Sequence, residues 1–483
     1  MSTSKIVYKD IAPGAADNAT VATSSENGFS SPTELVGDGT TAALATLELN
    51  QWALDGSRDV HNGQTVSFWS SAISGADCAF ENAPVITIAF SQAYSSVGVT
   101  LMSDFPGRPS LVNVAWYQGT TLKTNKDFAV TSDIQFCEQT VVAFDKIVLT
   151  IKKTWLPRRY ARLTGIVFGV IREFGMEELR NVQIVQEMHP VTVELPTSTM
   201  TWTLDNRANV SYLFQEKQPV EAWTDNHLIG VYYINKSARS STSVYKIDCK
   251  DSLGVLDDAA FSGGFYADKS AKALFAEIVG SDFEIDFGTI ADANLSGIIQ
   301  ATTKRAALQQ VLFAWGVCAA TDGGYKIRVF TLDDTAEAIG EGRTYQGATV
   351  TTDALVTSVS VTAHSYAEDA NGGVEIGGKK YTDTQTVYTV TNPNVTANTK
   401  SNEKKVTDAT LVSPAIGQTV AQRLYDYYAK RDQASAKIVL DGEILGDCVT
   451  VPTPWGTTVT GNIAKMEITL SNTVAASLTL AGA

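Results

Sequence analysis

Apolar and polar residues alternate in one short run after another, and that period of two constrains the fold more than any other feature. Ile86, Ile88 and Phe90 alternate, as do Val97, Val99 and Leu101 in the next run. Val112, Val114 and Trp116 follow, then Ile147, Leu149 and Ile151, then a less regular run with Leu163, Ile166 and Phe168. Successive side chains on a strand point to opposite faces, so such a run turns one face to a core and the other to water. Turn residues such as Gln118-Gly119 separate the runs, and no long helical pattern interrupts them before about residue 172. An antiparallel β-sandwich is predicted here.

The alternation continues beyond Glu173. Val191, Val193 and Leu195 predict a strand, as do Trp202 and Leu204, then Val220 to Trp223, Leu228 to Asn235 and Val244 to Asp248. Two segments change period. In SAKALFAEIVG, Ala271, Leu274, Phe275, Ile278 and Val279 share a helical face that Gly280 closes. In TTKRAALQQVLFAWG, Ala307, Leu308, Val311, Leu312 and Trp315 do the same ahead of Gly316. Further on, Val359, Val361 and Ala363 alternate within Val356 to Tyr366. Two polar stretches rich in Gly, Asn, Thr and Lys flank a Thr/Val/Tyr run, which reads as one more strand beside exposed hairpins. A helix with Val420, Leu424, Tyr427 and Tyr428 inward comes next, with Lys430 and Arg431 at its C-terminal end. The chain closes in strands at Ala436 to Leu440, Asp447 to Val451, Thr458 to Ile463, Lys465 to Leu470 and Ala476 to Leu480, with nothing expected behind them.

The expected fold is mainly β with a few packed helices. Residues 1–45, rich in small polar residues, read as an extended N-terminal arm. Residues 46–175 form the sandwich, 176–338 a β-domain with helices, and 339–483 a second β-domain. The 483 residues suit two to four domains and need no covalent staples.

A net charge of −15 argues against a protein that grips phosphate backbones. Cys78, Cys137, Cys249, Cys318 and Cys448 are scattered, without a C-x-x-C pair or a histidine at ligand spacing, and read as reduced, mostly buried thiols. The N-terminus lacks the basic and apolar regions of a signal peptide, and no apolar run reaches the ~20 residues of a membrane span.

Signatures of chemistry are sparse. The four histidines, His61, His189, His227 and His364, form no metal motif, and His364 falls on the polar face of its strand with Ser360 and Thr362, as a solvated residue would. Phosphate-binding glycine loops, the G-x-S-x-G elbow and calcium-loop spacing are not found. The pairs Asp257-Asp258 and Asp333-Asp334 read as solvated turns. Lys152, Lys153, Arg158, Arg159 and Arg162, interleaved with Trp155 and Tyr160, read as a solvated strand edge or a contact with an acidic neighbour rather than a nucleic-acid patch. Trp52, Trp69, Trp116 and Tyr117 could stack on sugar rings if exposed, although alternation assigns Trp116 and Phe90 to the core. No catalytic, cofactor-binding or metal-binding residue is assigned.

Three segments resemble the hub proteins of phage baseplates and tail tips. The first runs from Tyr212 to Tyr266, with a polar hairpin, an Asp-x-Leu-Gly turn at Asp251 to Gly254 and a Gly-Gly pair. The second is LQQVLFAWGVCAATDGGYKIRVF. The third, QRLYDYYAKRDQASAKIVLDGEILGDCVTVPTPWGTTVTGNIAKMEITLS, sets a Tyr-rich helix before the final strands and is the most specific. The resemblance covers the stretch from about residue 180 to 480. The first sandwich resembles galactose-binding-like, jelly-roll modules through IAFSQAYSSVGVTLMSDFPGRPSLVNVAWYQGTTL and FDKIVLTIKKTWLPRRYARLTGIVFG; it departs from the usual hub by coming first. The resemblance implies two tube-like β-barrel domains per subunit and a homotrimeric ring below the tail tube, through which DNA passes. It implies partners among tail tube, tape measure and other baseplate or tail-tip proteins, and a place in the virion after synthesis in the host cytoplasm. Sequence-specific nucleic-acid binding and a membrane span are not expected, and a host glycan would be contacted weakly at most. Two competing readings stay open: a carbohydrate-binding or adhesin-type surface protein acting through the sandwich, and a cell-wall hydrolase of the tail.

Overall fold

The structure is a computed structural model that describes residues 4–12, 14–28, 30–37, 41–44, 46, 48, 61–65, 67–207, 212, 214–321, 323–332, 335–470 and 474–482. The described chain is mainly β, with four α-helices among the described residues. It divides into two compact units: Tyr8–Glu173, and Phe174–Ala483 together with Met1–Val7.

In the unit Tyr8–Glu173, the largest sheet orders its strands as Gly165–Val167, Val85–Met102, Ile134–Thr154, Pro109–Gln118 and Thr121–Ala129, with Ala19–Thr23 also on Val85–Met102. The two runs expected around Phe90 and Val99 are one strand, Val85–Met102, carried past the polar residues between them by shifts of register from Ala89 to Gly98. Such bulges keep a long strand bending around its core. Ile86, Ile88, Val112, Val114, Trp116, Leu149 and Ile151 are buried in that core. Phe90 packs in the same core, edge-on to Phe144 and Phe168 with ring centroids 5.6 and 4.8 Å away. Each such side chain contributes roughly 1.5–3 kcal/mol by leaving water.

The segment read as an extended arm, 1–45, contributes strands to sheets at Ser4–Ile11 and Ala19–Thr23. Ala19–Thr23 pairs with Thr87 and its neighbours. Ser4–Ile11 lies beside Pro219–Thr224, and the Ser4 hydroxyl donates to Thr224 Oγ1 at 3.2 Å. Ile6, Val7 and Tyr8 are buried. The small polar residues around these strands hid them, because only a few apolar positions per strand carry the period.

In the second unit one sheet runs, strand by strand, through Ser4–Ile11, Pro219–Thr224, His227–Ser241, Val244–Lys250, Thr199–Asp205, Leu179–Glu187, Thr458–Leu470, Ala475–Ala481, Asp432–Val439 and Thr349–Thr352. Residues 176–338 and 339–483 therefore share a sheet: Val182 pairs with Leu470 and Glu187 with Lys465. The two strands expected at Thr458 to Ile463 and Lys465 to Leu470 are one, with a shift of register between Ile463 and Lys465.

Helices α2 (Ala271–Val279) and α3 (Lys304–Trp315) form where the period of 3.6 placed them. The Ser270 hydroxyl accepts from Ala273 N–H and the Thr303 hydroxyl from Ala306 N–H, satisfying amides left free at each first turn. Gly316 ends α3 at a φ of 87°, which a side chain would resist. Helix α4 (Gly417–Ala429) buries Val420 and Leu424 with Tyr427 and Tyr428 half-buried, and Lys430 leaves it in extended conformation. Two expectations need correction. The Asp251 to Gly254 turn is the start of a short helix, α1 (Ser252–Leu256), capped by Asp251. Val191 to Leu195 is no strand: Val191 and Leu195 are buried in the core, but Pro190 and Pro196 interrupt ladder bonding and Thr192 takes a φ of 53°.

Candidate interaction surfaces

The unit Tyr8–Glu173 brings four loops together at one end. Arg162 N–H donates to Gly107 O, Trp155 N–H to Arg108 O, Ser103 N–H to Asp133 O and Ser74 N–H to Arg159 O. On their outer side stand Phe105 and Trp155, 58% and 43% exposed. The Arg108 guanidinium lies between them, 4.9 Å from the Trp155 ring and 6.0 Å from Phe105, and binds Asp133 Oδ1 at 2.9 Å. Trp155 is fixed by its indole N–H, which donates to Val130 O at 2.7 Å. A fixed, half-exposed aromatic face beside a cation and a carboxylate is suited to a flat polar ligand such as a sugar ring.

Beneath this surface lies an ion pair that sequence reading missed. Arg162 binds Glu48, and both side chains are almost wholly buried. Glu48 also accepts from the Thr46 hydroxyl at 2.9 Å and from Tyr160 N–H at 2.9 Å. The guanidinium rests 3.6 Å from the Trp69 ring centre, with Asp104 at 3.8 Å. Burial pulls the Arg162 pKa down, while Glu48 and Asp104 push it back up. Gly107 is required above it, because a Cβ there would run into the Arg162 side chain.

The basic run is thus not a solvated strand edge. Lys152 and Lys153 end an inner strand, flanked on both sides, and Arg159 and Arg162 are buried. Lys152 binds Asp127 at 2.7 Å, and Arg158 is exposed. Trp69 and Trp116 are buried too, so neither offers a face to a sugar. Trp52 and the pair Asp333-Asp334 lie outside the described residues.

In the second unit His364 is buried, not solvated. Its Nδ1 lies 2.9 Å from Asp383 Oδ2 and its Nε2 3.1 Å from Thr407 O, a segment the strand pattern could not place over it. The ring stacks with Tyr366 at 6.0 Å. Burial pulls the His189 pKa down; the ring lines a cavity of about 460 Å³ with Asp353, Lys404, Tyr427 and Tyr428. A larger cavity of about 610 Å³ is lined by Gln186, His227, Leu228, Ile229 and Met466. The side chain of His61 lies outside the described residues.

All five cysteines are free thiols and four are buried. Burial pushes Cys137 and Cys249 up to about 12 and Cys318 to about 11, which keeps them protonated and unreactive at neutral pH. Among the described residues no group of three His, Cys, Asp or Glu is placed to hold a metal ion. No helix is long and apolar enough to cross a membrane among the described residues.

Asp257 and Asp258 lie in a part-exposed turn after α1, as expected; there Asp257 binds Arg305 of α3 at 3.0 Å and the Thr303 hydroxyl, and Asp258 binds Lys250 at 2.6 Å.

No family model matches the chain, and no curated protein matches it. Solved structures that it resembles include the tail protein from Neisseria meningitidis MC58, at 11% identity and a TM-score of 0.47, over 64% of this chain and 93% of that one. The 43 kDa tail protein of prophage MuSo2 from Shewanella oneidensis is similar over 64% of this chain and 94% of its own, at 10% identity and a TM-score of 0.46. Prophage tail protein gp18 from Listeria monocytogenes EGD-e gives 11% identity and a TM-score of 0.42, over 64% and 91%. All three are distant likenesses.

Proposed function

We propose that this chain is a structural, non-enzymatic part of a phage or phage-like tail, the hub of its baseplate or tail tip. Three copies form a ring that joins the tail tube to the tip and lets DNA pass, with tube, tape measure and other tail proteins as neighbours. The observation that carries this reading is the shared sheet. Strands from the first and third resembling segments lie in one sheet, joined where Leu179–Glu187 pairs with Thr458–Leu470. A sheet of that extent is the part a ring subunit needs. The charge of −15 per copy fits a wall along which DNA slides without adhering.

Light scattering on the purified chain, with negative-stain imaging, tests the proposal. A particle of three times the 51.7 kDa chain mass with a central opening is expected. Antibody labelling of purified virions that marks the head, or no part of the particle, would overturn it.

The Phe105–Arg108–Trp155 surface favours a second reading, in which the sandwich contacts a host glycan. Glycan-array binding by the whole chain, lost in Trp155→Ala, would support it, and an array with no signal would remove it.

A further inference from the structure

Several arginines of the second unit reach inward and find an acid. Arg305 binds Asp257, and Arg343 binds Glu443. Arg423, on α4, does not. It makes no ion pair among the described residues, and burial pulls its pKa down to about 10 with only Cys318 pushing it back. Acids are not scarce in this chain, which holds 52 acidic side chains against 37 basic. A cation drawn half out of water without an opposite charge is costly to keep.

The last turn of α3 accounts for part of the group. Arg423 Nη2 donates to Phe313 O, and the guanidinium faces the Phe313 ring at 5.7 Å. Gly316 makes room for Nη1, which a Cβ there would strike. A cation beside the C-terminal carbonyls of a helix is favourable. That contact leaves Nε shut off from solvent with no partner. The side chain also lines a cavity of about 230 Å³, with Pro190, Val191, Cys318 and Leu332 as apolar walls. Lys430 brings a second cation to it. Asp426 is in the wall as well, but it is exposed, accepts from Gln422 Nε2 at 2.8 Å, and forms no ion pair with Arg423 among the described residues.

We propose that this cavity binds a small aliphatic carboxylate, with its oxygens on the Arg423 guanidinium and its stem against Pro190, Val191 and Leu332. The planar fork of a guanidinium matches the two oxygens of a carboxylate. Apolar walls favour a carbon stem over a hydrated inorganic anion, which would have to give up its water there. A free acid and the side chain of an acidic residue on a neighbouring protein share this chemistry. The site does not depend on the hub reading, because all of its residues belong to one copy.

Fluorine NMR of trifluorobutyrate with the full chain tests this. The signal should broaden, and excess butyrate should sharpen it again. Trifluorobutanamide, the neutral analogue, should stay sharp. Arg423→Met should weaken binding by roughly tenfold or more, as loss of a charge-assisted hydrogen bond does. Lys430→Gln should weaken it less. Butyrate should raise the thermal midpoint of the parent chain. Arg423→Met orphans no acid, so without ligand it should melt no lower than the parent. If N-acetylglutamate methylamide competes better than butyrate, the carboxylate comes from a neighbouring protein; if butyrate competes better, it comes as a free acid. No broadening, equal broadening by the amide, or broadening unchanged in Arg423→Met would overturn the proposal. An Arg423→Met chain that melts lower, beside a parent that butyrate does not stabilise, would make Arg423 a cap on α3 alone and overturn it too.

Discussion

Each unit of this chain buries a carboxylate, and the two are handled differently. In the sandwich Glu48 meets a guanidinium, a hydroxyl and a backbone amide. In the second unit Asp251 is just as hidden, but its oxygens accept from Ser198 N–H at 2.9 Å and Gly254 N–H at 2.8 Å, with no salt-bridge partner of its own among the described residues. Backbone dipoles supply less compensation than a full opposite charge, so burial raises the Asp251 pKa to about 6 despite those bonds. The lesson is one of placement. An ion pair cements residues far apart in sequence and makes each partner costly to lose, whereas an anion on backbone amides caps a helix and carries sensitivity to pH.

The largest effect expected is from breaking the pair. Glu48→Ala leaves Arg162 buried with only Asp104 near, and should cost the sandwich about 3–5 kcal/mol. Hydrogen exchange of peptides within residues 85–154 would report it, with peptides of the second unit unchanged. If Glu48→Ala together with Arg162→Met restores most of the loss, the penalty belongs to the orphaned charge rather than to the pair.

Next in size is the pH response of Asp251. Its folded pKa of about 6 lies above the ordinary 3.8, so between these values the native state holds a proton that the unfolded state has lost. Stability from this group is fully present below pH 3.8 and is lost as pH rises through 6, about 3 kcal/mol in all. Subtracting the denaturation curves of Asp251→Asn from those of the parent across pH 4–7 should expose that slope. A flat difference would show that burial does not raise the Asp251 pKa.

Smaller again is the cap itself. Asp251→Ala at pH 7 strands two amides and should cost about 1–2 kcal/mol, less whatever is regained by removing the buried charge. The smallest is Thr46→Val, which removes the hydroxyl that donates to the Glu48 carboxylate and accepts from its N–H, and should cost the sandwich about 1 kcal/mol, visible as a shift in urea midpoint.

What the sequence allowed follows the range of the interactions. Helices α2 and α3 were legible to their C-terminal ends because Gly280 and Gly316 act within four residues of the turns they close, whereas the caps Ser270 and Thr303 were not singled out. Strands were legible from alternation. Their joining into longer strands was not, since a shift of register at Ile463 or Ala89 breaks the period that reveals it. Glu48 and Arg162 gave no signal: two charged residues more than a hundred positions apart look solvated until the loops close around them. His364 misled for the same reason, because Asp383 reaches it from a neighbouring strand and Thr407 from just past another. Strand Lys379–Thr391 was half legible: its Thr/Val/Tyr run declared a strand, but how far its neighbour Val374–Ile376 reaches along it is a property of topology.

The pairing of Ser4–Ile11 beside Pro219–Thr224 has a consequence for synthesis. Strand Ser4–Ile11 leaves the ribosome more than two hundred residues before the strand it belongs with. At 5–20 residues per second it waits roughly 10–40 s for its neighbour. The sandwich is complete before then and can fold inside that interval. Through it, Ile6 and Tyr8, fully buried in the finished molecule, stay within reach of chaperones and of other nascent chains.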